Sequence, residues 1–218
     1  MPLLGTRGAA SARGFGFGGA KPIPVIGSAY GGGYFAGQIS TAGNGVADYN
    51  LVVAPAASGR SFLGCKTTNT ATSGTSSVID GPTNSANMNN ASHPAAQFCE
   101  GLSIGGFSDW YLPAKNELEI LYYNLKPTTT QNTTASGQNT NAVPSRGSNY
   151  TTGDPAQTSA SDFKDTGTED LTPDFYWSST QGSTDTTSGW IQRFDNGTQA
   201  EALKSISRLV VAVRRVAV

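Results

Sequence analysis

In AKNELEILYYNL, residues 114–125, Leu118, Leu121, Tyr122 and Leu125 fall at i, i+3, i+4 and i+7. Only a helix gathers such a stripe onto one face, and that face must lie on something apolar. The chain supplies a partner. LVV at 51–53, DFYWSST at 174–180, SGWIQRF at 188–194 and the closing RLVVAVRRVAV are short β-rich runs bounded by turn residues. The pattern predicts a helix that ends at Pro127 and packs on a sheet, with Lys115, Asn116 and Glu119 turned to solvent. Pro113 suits its first turn, where a missing N–H costs nothing. Trp110, Tyr111 and Leu112 then form a lead-in strand whose rings pack beneath the helix. Trp177 sits in a predicted strand among apolar neighbours and is read as core. The closing run is placed as one strand at the centre of a sheet, with Arg214 and Arg215 at its end.

Other segments are less apolar. Residues 64–92 are polar and read as a long loop with little core. HPAAQFCEGL reads as a second short helix, with Ser92 as N-cap and Ala96, Cys99 and Leu102 at helical spacing. Residues 128–162 are a Thr-, Asn- and Ser-rich tract with almost no aliphatic side chain. Burial there cannot offset the entropy of ordering, so a structureless loop insert is expected. Asn196-Gly197 marks a hairpin turn. Together these describe an α+β domain over residues 22–218. The first 21 residues stand apart as Gly-rich chain punctuated by Arg7, Arg13, Phe15 and Phe17. An extended arm that anchors to a partner and a disordered terminus both fit this composition.

Charge narrows the function. Only 13% of residues are charged and the net charge is −1, so the chain lacks the basic footprint that nucleic acid requires. No apolar run approaches the roughly 18–20 residues of a membrane helix. The N-terminus lacks the apolar core of a secretory signal, and Pro2 stands where myristoylation needs Gly, so cytoplasmic synthesis is expected. Cys65 and Cys99 either pair or remain as buried thiols. With His93 as the sole histidine, they cannot make a zinc site of the usual Cys/His kind.

Catalytic groups are equally sparse. His93 precedes Pro94 at a helix start, a capping or packing position rather than a catalytic one. Glu117 and Glu119 are two apart on the predicted helix, too divergent for a carboxylate dyad. The acidic run from Asp162 to Asp174 does not fit an EF-hand loop. It reads as solvated, with a calcium site there or around Asp195 and Asn196 as the weaker alternative. No enzyme, cofactor or metal is expected. Trp190 follows the polar segment QGSTDTTSG and is the tryptophan best placed for exposure, against a core reading for Trp110 and Trp177.

The order YFAGQ, YNLVVAP, DG-x-x-N, AAQFC, DWYLP-x-x-NEL, YWSST, W-x-x-x-F-x-x-G and VAVRRV over residues 30–218 resembles the C-terminal domain of bacterial collagen-like adhesins, a family with tailed-phage members. The resemblance implies a C-type-lectin-like fold: two short helices flanking a small twisted, mostly antiparallel sheet, with long loops on one side. It implies a framework role for Tyr176 beside Trp177. It also implies a virion protein, released by lysis and present in many copies or as a homo-oligomer. The arm would dock it through Arg7, Arg13, Phe15 and Phe17 on other virion proteins. The loops would bind a host-surface glycan or protein, with Tyr150, Asp185, Trp190 and Asn196 as candidate contacts. Capsid decoration or a tail connector is the alternative. The calcium-ligating Glu-Pro-Asn and Trp-Asn-Asp motifs of sugar-binding lectins are absent, so calcium-mediated binding is not carried over.

Overall fold

The computed structural model describes residues 22–218, and the arm residues Arg7, Arg13, Phe15 and Phe17 lie outside them. The chain opens with β1 (Ala29–Tyr30), β2 (Gly33–Ile39), β3 (Tyr49–Val53), the single turn α1 (Ala56–Gly59) and β4 (Arg60–Gly64). The helical middle holds α2 (Gly81–Asn87), α3 (Pro94–Glu100) and α4 (Lys115–Leu125), followed by the short β5 (Ala142–Val143). Last come β6 (Phe175–Gln181), β7 (Ser188–Arg193), β8 (Gln199–Leu203), β9 (Ser207–Val211) and β10 (Val213–Ala217). One five-stranded sheet has the order β1-β2-β3-β10 with β5 paired to β2, and the other runs β4-β9-β6-β7-β8. Pairing is antiparallel except between β6 and β9.

Strand periodicity divides the interior into two cores. Leu51, Val53, Tyr111, Tyr176, Val211 and Val213 face the core built on α4. Val52, Ala54, Trp110, Leu112, Trp177, Val210 and Ala212 face a second core with Cys99 and Ala96 of α3. Each apolar run therefore serves both sides, which is why it reads as continuous rather than alternating. Trp110 accordingly packs away from α4, not beneath it as expected, and only Tyr111 takes that place. The closing run is also two strands rather than one. It breaks at Ala212, so β9 joins one sheet and β10 the other, and Arg214 and Arg215 lie within β10. This break couples the two sheets through one residue.

Local chemistry moves several boundaries. Ala114 is the N-cap of α4 and Pro113 precedes it. Ala114 has no side-chain acceptor, and Glu117 supplies the cap by accepting from the Ala114 N–H at 2.8 Å. His93, not Ser92, is the N-cap of α3, because Pro94 already holds the first-turn geometry. Residues 64–92 contain α2, capped where Asp80 accepts from the Thr83 N–H at 3.2 Å. The β7–β8 hairpin turns at Asn196-Gly197, where Gly197 has φ +73°.

Gly37 marks the closest approach of α4 to β2. It sits at a register shift with φ +134°, and a Cβ there would come within 2.4 Å of Asn124 Nδ2 and 2.8 Å of Ile120 Cγ2. Gly37→Ala is expected to lower unfolding stability by about 1–3 kcal/mol, read as a fall in urea midpoint with an unchanged slope. An unchanged midpoint would show that the helix can lift off the strand freely.

Candidate functional site

Helix α4 is buried on both flanks, and the two glutamates of its first turns show how. Residues two apart point roughly 200° apart on a helix. Glu117 reaches toward β10, where it accepts from Tyr111 OH at 2.6 Å and from Arg215 Nε at 2.8 Å. Glu119 reaches the other way, into the 128–162 tract. There it accepts from Tyr150 OH at 2.7 Å, from Asn139 Nδ2 and from Arg146 Nη2. Both carboxylates are fully buried. Burial raises both pKa values, opposed chiefly by Arg215 for Glu117 and by Arg146 for Glu119. The expectation that Glu119 faces water fails because the tract brings it a cation and two neutral donors.

The tract itself is ordered. Asn132, Ser136, Asn139, Tyr150 and Thr158 are buried. Asn132 accepts from Tyr122 OH and from Lys126 Nζ, and donates to the Thr151 and Pro155 carbonyls at 3.1 and 2.9 Å. Asn139 exchanges backbone hydrogen bonds with Arg146 at 2.8 and 3.0 Å. Hydrogen bonds to charged groups contribute about 1.5–3 kcal/mol each. They replace the apolar burial whose absence predicts a structureless insert.

Over this floor the tract forms a cleft of about 270 Å³, lined by Tyr123, residues 146–151 and Asp154. The Arg146 guanidinium lies 3.9 Å above the Tyr123 ring, and Tyr123 OH donates to the Asp154 carboxylate at 3.1 and 3.2 Å. Ser148, Asn149 and Asp154 are exposed at its lip. A larger hollow, about 380 Å³, lies by Tyr49, Asp80, Asp109, Tyr111 and Arg215. Its charges are already engaged. Asp109 pairs with Arg214, Arg215 with Glu117, and Asp80 caps α2. In the smaller cleft Arg146, Tyr123 and Asp154 are also paired, and the Asn149 amide donates to the Thr134 carbonyl at 3.1 Å. Ser148, Asn149 and Asp154 nonetheless remain exposed at the lip.

The four candidate contacts separate. Tyr150 lines the cleft, but its ring and hydroxyl belong to the floor, where Glu119 and Gln192 hold the hydroxyl. It is thus not the exposed loop aromatic that composition suggested. Trp190 lies within β7, half-buried, with Lys115 Nζ 3.6 Å from its ring centroid. That ammonium covers a face a sugar would need. Asp185 is exposed on a separate loop, where hydrogen bonds from Thr187 lower its pKa. Asn196 accepts from the Thr198 N–H at 3.1 Å and shapes the hairpin. Trp110, Tyr111, Leu112, Pro113, Tyr176 and Trp177 are buried. Sequence reasoning missed Tyr123, Arg146 and Asp154. The available signals were an aromatic outside the helical stripe and the only arginine within the tract.

Among the described residues no group of three or more His, Cys, Asp or Glu side chains is placed to hold a metal ion. Cys65 and Cys99 are free and buried, and burial raises both thiol pKa values, that of Cys65 to about 11. No described helix is long and apolar enough to cross a membrane. In comparison with known families, the Lcl C-terminal domain matches residues 65–214. No curated protein and no solved structure matches the chain. The matched segment excludes β1 to β4, of which β1 to β3 share a sheet with β10.

Removing Glu119 leaves Arg146 with no compensating charge. Glu119→Ala is expected to cost about 3–5 kcal/mol, while Glu119→Leu combined with Arg146→Met should cost clearly less. Chemical denaturation of both variants checks this. Equal losses would mean that the pair contributes only packing.

Proposed function

Because the chain belongs to the Lcl C-terminal domain family, an adhesin-type family, we propose that it is a non-enzymatic attachment domain. Its recognition surface is the Tyr123–Arg146–Asp154 cleft. The observation that carries this reading is the Glu119–Arg146 pair, its carboxylate fully buried, beneath a polar, open cleft. A loop pinned by an internal ion pair meets its ligand with little entropy left to lose. The Asp154 carboxylate, the Asn149 amide and the Ser148 hydroxyl at the lip suit a hydroxyl-rich ligand, and a host-surface glycan is the class proposed. One small cleft supports modest affinity, which display in many copies multiplies.

The finer reading is a C-type-lectin-like domain on a virion. It is supported by α3 and α4 on opposite cores and by the long tract beside them. Docking through residues 1–21 completes that reading. The alternative, a decoration or connector protein, is favoured by one feature. Ile23, Val25 and Val218 are exposed, and Ile23 and Val218 line one small cleft beside Tyr30, an apolar surface suited to a neighbouring subunit.

Two tests separate these readings. With the protein multimerised on beads, Asn149→Ala combined with Asp154→Ala should reduce binding to intact host cells by about tenfold or more, equivalent to about 1.4 kcal/mol, with an unchanged melting temperature. Absence of binding by the parent protein too would favour the particle role. Deleting residues 1–21 should leave the domain folded and abolish its incorporation into particles. Continued incorporation would remove the arm from the proposal.

A further inference from the structure

Lys204 is 1% exposed, yet among the described residues it forms no ion pair. Its ammonium is instead surrounded by neutral oxygens. It donates to the Thr70 carbonyl at 3.2 Å, Thr72 Oγ1 at 3.4 Å, Gln181 Oε1 at 2.8 Å and the Thr186 carbonyl at 2.9 Å. Gln181 Oε1 also accepts from the Thr72 N–H at 2.6 Å. One cation thus gathers the loops at 66–75 and 181–187, which meet nowhere in sequence.

The chain's only histidine sits at the end of this network. His93 is 6% exposed, with Nδ1 2.9 Å from Asn90 Oδ1 and Nε2 3.0 Å from Thr72 Oγ1. Asn90 Oδ1 also accepts from the Ser92 N–H at 3.1 Å, which fixes it as an acceptor and places the imidazole proton on Nδ1. Nε2 therefore accepts from the Thr72 hydroxyl. The hydroxyl hydrogen goes to His93, and one lone pair of its oxygen receives Lys204.

We propose that His93 is an acid-sensitive latch that releases the 66–75 and 181–187 loops through the Thr72 hydroxyl. When Nε2 takes up a proton it turns from acceptor to donor toward Thr72 Oγ1. That oxygen then faces two cationic donors, and its own hydrogen has lost its acceptor. Lys66 adds a third positive charge near the imidazole, while the carboxylate that acts on Lys204 is the exposed Asp185. The strain is relieved by moving Thr72 away, which also withdraws Thr70 and Gln181 from Lys204.

Burial, followed by Lys66 and Lys204, lowers the His93 pKa below the ordinary 6.5. A histidine lowered on folding contributes its full stability above the unfolded value. That contribution is lost as pH falls from about 6.5 through the folded value. Loosening is therefore an acid-side event.

The experiment follows the single imidazole by NMR while hydrogen exchange is measured on the whole protein between about pH 7.5 and about pH 5, the range in which histidine changes charge. His93 is expected to titrate below 6.5. Amides of 181–187, corrected for intrinsic rate, should lose protection by about tenfold per unit of pKa difference between the folded and unfolded states. His93→Gln should abolish this loss. Thr72→Val should leave His93 titrating while the protection of 181–187 no longer follows it. Unchanged protection in the parent protein across the His93 titration would overturn the proposal, as would an equal loss in His93→Gln.

Discussion

The Glu117 carboxylate is the constraint on which the rest of the architecture turns. It caps α4 through Ala114, receives the hydroxyl of Tyr111 and holds Arg215 of β10. Three separate stretches of chain, the DWYLP segment, the main helix and the closing strand, are fixed relative to one another by two oxygen atoms. A fully buried carboxylate is costly unless each lone pair is used, and here the partners come from elements that apolar contact alone would let slide. Tyr111 also exchanges backbone hydrogen bonds with Val213 at 2.8 and 3.0 Å. Side-chain and main-chain restraints therefore converge on the same register.

Much of this was legible in the sequence. The i, i+3, i+4, i+7 stripe located α4, the Asn196-Gly197 pair located the β7–β8 turn, and the α+β class followed from their order. Two kinds of feature were not legible. Break positions inside apolar runs depend on which sheet each half joins, so Ala212 carries no local mark. Burial of polar side chains was the other. Glu119 looks like a solvated helix residue until Arg146 and Asn139 arrive from more than a helix length away in sequence. The 128–162 tract reads as structureless only if order must come from apolar contact. Its asparagines offer donors and acceptors at both ends, and that currency is invisible to hydropathy.

The cleft depends on the same logic. Tyr123 lies on the flank of α4 that the apolar stripe leaves out, so it reaches the surface while Tyr122, one position earlier, packs in the core. Arg146 joins the two levels, with its guanidinium above Tyr123 and one nitrogen on Glu119 below. Helix and loop are therefore tied side chain to side chain. For the attachment role proposed above, this arrangement places candidate contact residues on a loop that is tied to a helix.

The tie between Asn124 and Ala36, where the Asn124 side-chain amide donates to the Ala36 carbonyl at 2.8 Å, has a mechanical consequence. A pull on the Arg146 loop passes through Glu119 into α4 and, through Asn124, into β2. A second branch runs from Tyr150 through Gln192 into β7, and the Lys115 N–H ties the start of α4 to Thr180 of β6. Load on the tract is therefore divided between the two sheets rather than carried by one.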